Sequence, residues 1–158
     1  SDIEFLIVGE GPKRKFLQEY SDRLGLRENV HFLGFRSDAI QILKLLDIFV
    51  LSSIDEGLPI VILEAMSVGT PIVTSDVGEI PRVLENGLNG ILFPREDVRS
   101  MTESILTLLD DPVFARKLGN SSRQLVKDRF SLSSMIKQYY IVYSNILKNK
   151  CLQKNKIA

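Results

Sequence analysis

The first two thirds of the chain alternate short, almost unbroken apolar runs with longer stretches whose apolar residues recur at helical spacing. Few folds accept that pattern. A strand that is apolar on both sides needs cover on both faces, which helices packed on a parallel sheet provide. The runs are Ile3–Val8, Val30–Leu33, Asp47–Ser52, Pro71–Thr74 and Gly90–Phe93. Gly9-Glu10-Gly11 closes the first, and Pro12 stands where a helix would begin, since its missing N–H costs nothing in a first turn. Phe16, Leu17, Tyr20 and Leu24 repeat at helical spacing up to Gly25. Ser37-Asp38 reads as the cap of a second helix running to Leu46, and Pro59–Val68 as a third stopped by Gly69. The expected architecture is α/β: a Rossmann-like parallel sheet of about five strands with helices on both faces.

From residue 97 onward the pattern is helical throughout. Asp97 reads as the cap of a helix carrying Val98, Met101, Ile105, Leu108 and Leu109, and Asp111-Pro112 caps and opens the next. Ser131 starts a last helix with a wide apolar stripe that includes Met135, Ile136, Tyr139, Tyr140, Tyr143 and Leu147. An amphipathic helix usually serves its local core, so this one is read as wrapping its own domain; the alternative is a face for a second domain. Residues 1–150 read as one domain and 151–158, with its spaced lysines, as a flexible tail.

Composition removes several function classes. The 158 residues suffice for one compact domain, and 44% hydrophobic with 25% charged residues describes a globular chain rather than a disordered one. Twenty basic residues balance twenty acidic ones, which gives no argument for nucleic-acid binding. No apolar run approaches the roughly 20 residues that span a bilayer, and no secretory signal pattern is present. One cysteine, Cys151, and one histidine, His31, exclude a Cys/His zinc cluster, and no metal site is expected. His31, within an apolar run, reads as a packed or edge residue. A cytoplasmic location follows as the expectation.

The chemistry concentrates between Ser52 and Gly69, which starts at the carboxyl end of a parallel strand, where open α/β sheets bind ligands. Gly57 allows close backbone approach, and Pro59 opens a helix. The N–H groups of Ile60, Val61 and Ile62 then point out of the helix start with the positive end of its dipole, a site suited to phosphate. Glu64 is the only charged side chain from Leu58 to Val68. So apolar a helix is expected to be buried, and a carboxylate buried with it needs a partner: a ribose or sugar diol, an arginine, or a neighbouring loop that it caps. Glu56, just before Gly57, is either a site residue or an ordinary solvated one.

These residues also carry a family resemblance. Glu56-Gly57-Leu58-Pro59 followed by Glu64 resembles the two-glutamate motif of retaining glycosyltransferases of the group 1, or family 4, type. Val8-Gly9-Glu10-Gly11-Pro12, Val30-His31-Phe32-Leu33-Gly34 and Asp47–Ser53 match in order and spacing, as do Glu64–Val73, Asp76-Val77-Gly78, Asn89-Gly90 and Leu109–Pro112. The series covers most of residues 3 to 130.

The resemblance implies the donor-binding, C-terminal domain of a two-domain GT-B enzyme that transfers a sugar from a nucleotide diphosphate to a polysaccharide or glycolipid. It implies that Glu64 holds the donor ribose and that the catalytic Glu56 faces the transferred sugar. The backbone of Gly57, Leu58, Pro59 and Ile60 would contact sugar or diphosphate, Gly34 and Phe35 would lie by the base, and Gly9 and Gly11 would keep the cleft floor open. No cofactor or metal is implied.

Two departures stand out: Glu79 and Arg82 replace a second glycine and a glutamate that the family usually shows, and Ser52 stands where proline is common. The family's first βα unit, with an arginine and a lysine for the diphosphate, and the N-terminal acceptor domain have no counterpart within these residues. Lys13 and Arg14 are the available cations, though a solvated helix start is their default reading. The chain is therefore expected to be part of a longer enzyme, inactive alone, in which the strand at 3–8 pairs directly with that at 47–52 or leaves a gap, the sheet being rearranged locally or completed by another chain. Its partners would be the nucleotide-sugar donor and the remaining domain, with membrane contact only through the full-length protein at the inner face. A nonenzymatic nucleotide-binding or interaction module on the same fold is the competing reading; a nucleotide-sugar epimerase would need a histidine and acid pattern that is not displayed.

Overall fold

The computed structural model describes residues 3–154, with side chains through residue 147. Its order is β1 (Phe5–Val8), α1 (Arg14–Arg23), β2 (Val30–Gly34), α2 (Ala39–Leu45), β3 (Phe49–Leu51), α3 (Ile60–Val68), β4 (Ile72–Ser75), a 3-10 turn (Ile80–Arg82), β5 (Ile91–Phe93), α4 (Val98–Asp110), α5 (Pro112–Arg129) and α6 (Leu132–Lys154). The architecture is α/β with parallel strands and a helical C-terminal part, as the apolar patterning requires. Contacts within the chain divide after Ile42 into two compact units.

In the first unit β1 and β2 pair in parallel, with Phe5 opposite Val30 and Ile7 opposite Phe32, and the register slips between Ile7 and Val8. β1 does not pair with β3, so the direct 3–8 to 47–52 pairing is not formed; the described strands make a two-stranded sheet and a three-stranded one. The consequence is visible in β1, whose apolar residues Phe5, Leu6, Ile7 and Val8 all stay exposed. A two-stranded sheet covers little of its own surface, so continuous hydrophobicity in β1 does not produce burial on both faces. Pro12 precedes α1 by a turn rather than opening it, because Lys13 is the N-cap. Asp38 does not cap α2 with its side chain; its carboxylate takes a two-pronged bond from the guanidinium of Arg36 (2.7 and 2.6 Å). That guanidinium holds the Asp38 carboxyl below the usual aspartate range.

The second unit is built on β4, whose four residues are all buried. β3, β4 and β5 run parallel in that order, with Val50 opposite Val73 and Thr74 opposite Leu92. Successive side chains of a strand point to opposite faces. Ile72 accordingly packs with Ile62, Ala65 and Met66 of α3, while Val73 packs with Phe93, Leu108, Ala115 and Leu118 on the α4–α5 side. α3 is apolar almost all round because it is covered on several sides, including by α5.

Helix ends follow their sequence signals closely here. Gly69 terminates α3 in the left-handed region at φ 80°, donating back to Ala65 and Met66. Asp97 accepts from the Ser100 amide at 3.0 Å, and Asp111 accepts from Val113 and Phe114. α6 departs from its expected role. Met135, Ile136, Tyr140, Tyr143 and Leu147 are all exposed, because the apolar residues spread around the helix rather than forming one stripe that a single neighbour could cover. α6 continues through Lys154, into the segment read as a tail; residues 155–158 and the Cys151 side chain lie outside what is described.

Two outcomes follow from these contacts. A Cβ added at Gly119 of α5 would lie 2.1 Å from the carbonyl oxygen of Gly69, backbone against backbone. Gly119→Ala is expected to lose about 1–3 kcal/mol or more in urea unfolding, and a change below about 0.5 kcal/mol would contradict the close crossing. The Ser100 hydroxyl, and then its amide, hold the Asp97 carboxyl below its ordinary 3.8. A depressed acid stabilises above its unfolded pKa and loses that contribution as pH falls through the folded value. Thermal unfolding between about pH 6 and pH 3 should therefore show wild type losing stability relative to Asp97→Asn only at the acid end.

Candidate functional site

The loop between β3 and α3 carries most of the residues singled out from the sequence. β3 ends at Leu51, and the chain then runs irregularly to Pro59, which is extended (φ −68°, ψ 128°) and forms the N-cap of α3. No side chain caps this helix start. The amide of Ile62 is not free as expected, because it donates to the Pro59 carbonyl at 3.1 Å. Ile60 and Val61 are the first-turn residues whose amides are left to point out of the helix start, and the Ile60 side chain is 72% exposed. Leu58 and Val61 turn their side chains into the core cluster under α3, while the Ile60 side chain faces outward beside the free amides. A helix start so placed attracts an anion through its amides and dipole.

Two carboxylates flank that helix start along the chain. Glu64 lies in the second turn of α3, between fully buried Ile62 and Ala65–Met66, yet is itself partly exposed rather than buried. Among the described residues it takes part in no ion pair, so the arginine partner left open by the sequence is not what satisfies it. Glu56 is also partly exposed, and its Oε1 accepts from the Ser53 hydroxyl at 2.8 Å.

The end of β4 and the loop after it fix the loop that carries Glu56. The buried Ser75 hydroxyl donates to the Ser53 carbonyl at 2.6 Å, and the Glu79 amide donates to the Gly57 carbonyl at 3.1 Å. Gly78 sits at φ 56°, and a Cβ there would lie 1.7 Å from the Glu56 carbonyl oxygen. Only a bare α-carbon fits between these loops. Ser53 and Ser75 are site residues that sequence reasoning passed over; a serine pair before Glu56 and a hydroxyl at the end of an apolar strand were the available signals. The Glu79 side chain pairs with Arg82 at 2.7 Å, in an exposed position.

The glycines and Phe35 belong to the first unit. Gly9, at φ 125°, donates its amide to the Gly34 carbonyl at 2.8 Å, joining the carboxyl ends of β1 and β2. Nothing lies within 4 Å of where a Cβ would stand on Gly9 or Gly11, which leaves open space above that turn. Gly34 is buried at φ 69°, and a Cβ there would meet the Glu10 carboxylate and the Arg14 guanidinium. Phe35 is 78% exposed. Arg14 is not a solvated cation: it pairs with Glu10 and donates to the Phe32 carbonyl at 3.1 Å. His31 lies on β2 with Nε2 2.7 Å from Glu4 Oε2, an exposed edge residue.

Residues 1–125 match the family model described as glycosyl transferases group 1. N-acetyl-alpha-D-glucosaminyl L-malate synthase of Bacillus anthracis is 30% identical over 148 residues, 94% of this chain and 39% of that protein. The UDP-Gal:alpha-D-GlcNAc-diphosphoundecaprenol alpha-1,3-galactosyltransferase of Escherichia coli is 30% identical over 150 residues, again 94% of this chain and 38% of that protein. The chain thus spans about two fifths of the length of these relatives. The crystal structure of Anabaena Alr3699/HepE in complex with UDP-glucose superposes with a TM-score of 0.82 at 28% identity, over 90% of this chain and 41% of that one. The fold is that of GT-B glycosyltransferases, and the chain belongs to the group 1 glycosyl transferases.

Proposed function

We propose that this chain is the donor-binding part of a retaining glycosyltransferase, and that its site takes a nucleotide-diphosphate sugar. The observation that carries the reading is the uncapped start of α3, with Glu64, in no ion pair among the described residues, one turn along it and Ser53-oriented Glu56 just before it. Exposed amides suit the diphosphate, and Glu64 accepts from the ribose hydroxyls. Glu56 faces the transferred sugar, and the backbone of Gly57, Leu58, Pro59 and Ile60 lines the approach. Gly9, Gly11, Gly34 and Phe35 belong to the first unit, and a role for them at the floor and base rests on the family resemblance alone. Support comes from the neighbouring Anabaena structure, which holds UDP-glucose.

Chemistry in such a site is positioning and electrostatic stabilisation of an oxocarbenium-like sugar and a departing diphosphate. The amides and dipole of α3 supply the positive field, so donor binding is read as independent of a metal. The remaining domain of the longer protein would bring the acceptor, a polysaccharide or a glycolipid, in the cytoplasm at the inner face of a membrane. The Escherichia coli relative is named for a diphosphoundecaprenol-linked acceptor. Among the described residues no helix is long and apolar enough to cross a membrane.

Titration of UDP and GDP against wild type and Glu64→Ala tests the assignment. At least one nucleotide should bind wild type and lose roughly tenfold or more in affinity with Glu64→Ala. Equal affinity of both proteins would remove Glu64 from the site. Addition of EDTA should leave the wild-type affinity unchanged, whereas loss of binding would show that a cation, not the helix start, holds the diphosphate.

A second reading has one observation in its favour. The Glu79–Arg82 pair occupies the loop that braces Glu56, where the family usually has a glycine and a glutamate, and so favours a module that binds nucleotide without transfer. Sugar transfer by the full-length protein, abolished by Glu56→Gln, would exclude that module; absence of transfer with Glu56 intact would favour it.

A further inference from the structure

Glu56 has a flexible side chain, is only partly buried, and sits in an irregular loop, so nothing in its own backbone fixes where its carboxylate points. The aim comes from Ser53. The Ser53 hydroxyl donates to Oε1 of Glu56 at 2.8 Å, a bond to a charged acceptor. Ser53 is itself held from behind, where the hydroxyl of fully buried Ser75 donates to its carbonyl at 2.6 Å. Three residues further on, Gly78 abuts the Glu56 carbonyl and the Glu79 amide holds the carbonyl of Gly57. The loop backbone is thus clamped at both ends by the last residue of β4 and the segment after it, and among the described residues the carboxylate takes one side-chain bond, from Ser53.

We infer that Ser53 is a positioning residue for Glu56, and that the bond between them sets the preference of the site for a nucleotide sugar over the bare nucleoside diphosphate. The inference rests on the donor reading given above and goes beyond it by naming what makes Glu56 selective. A hydroxyl donates once, so Ser53 occupies Oε1 and leaves Oε2 to accept from a neutral sugar hydroxyl. Loss of that bond leaves the carboxylate to sample several rotamers, and the cost falls on the sugar alone. The diphosphate, held by the amides at the start of α3, does not depend on the direction of this carboxylate.

The test compares affinities of this chain for UDP-glucose and UDP, by NMR titration of wild type, Ser53→Ala, Ser53→Thr and Glu56→Gln. Wild type should prefer UDP-glucose. Ser53→Ala should lose roughly tenfold in affinity for UDP-glucose, with affinity for UDP changed less than about twofold. Ser53→Thr, which keeps the hydroxyl, should restore most of the preference. A Ser53→Ala protein that keeps the wild-type preference, while Glu56→Gln loses it, would overturn the inference and leave the donor site standing. Equal weakening of both ligands by Ser53→Ala would also overturn it, because the loop rather than the carboxylate's aim would have failed. If wild type bound neither UDP nor GDP, with or without an attached sugar, the donor reading beneath the inference would fall with it.

Discussion

Strand β4 buries all four of its residues, and the second unit is organised around the need to cover both of its sides. Ile72 requires α3 on one face, while Val73 requires α4 and α5 on the other. β3 and β5 satisfy the backbone along both edges, so an apolar strand between two parallel neighbours leaves no polar group to water. The parallel pairing has a geometric consequence. It brings the loops that follow β3 and β4 out at the same end of the sheet, where open α/β sheets place their ligands.

The candidate site is the product of that juxtaposition. The loop after β3 carries Glu56 and opens α3, and it is braced by Ser75 at the end of β4 and by Gly78 and Glu79 in the loop that follows. Neither loop would hold this shape alone. The backbone of the first is pinned by hydrogen bonds and by a contact that tolerates no Cβ, while α3 is fixed by burial of Ile62, Ala65 and Met66. A rigid, uncapped helix start then presents its amides at low reorganisation cost, which is the property an anion site needs. Glu64 shares the same rigidity because it rides on that helix.

Local signals in the sequence were legible where the physics is local. Asp97, Asp111 and Gly69 act at helix ends through bonds within a few residues, and all three do what their positions imply. The five apolar runs became five strands, each paired in parallel within its own sheet, and the helix at Pro59–Val68 differs from the observed one by a single residue at its start. The site helix was legible for the same reason, since a proline followed by an apolar run with one glutamate is a local pattern.

Pairing and long-range contacts were not legible. That β1 finds β2 and not β3, and so stays exposed, depends on which neighbours are present rather than on its own residues. Asp38 had the right position for a cap, but the adjacent guanidinium of Arg36 offered two bonds and won its carboxylate. Arg14 looked like a solvated cation because the Phe32 carbonyl that binds it lies eighteen residues away. The Ser75–Ser53 bond spans twenty-two residues, and no periodicity announces it.

The direct measurement is the backbone amide spectrum of this chain during titration with UDP and, separately, with uridine. If the start of α3 cradles a diphosphate, the amides of Ile60 and Val61 shift with UDP and remain in place with uridine. Shifts confined to other residues, with Ile60 and Val61 unmoved by UDP, would contradict the account at its centre.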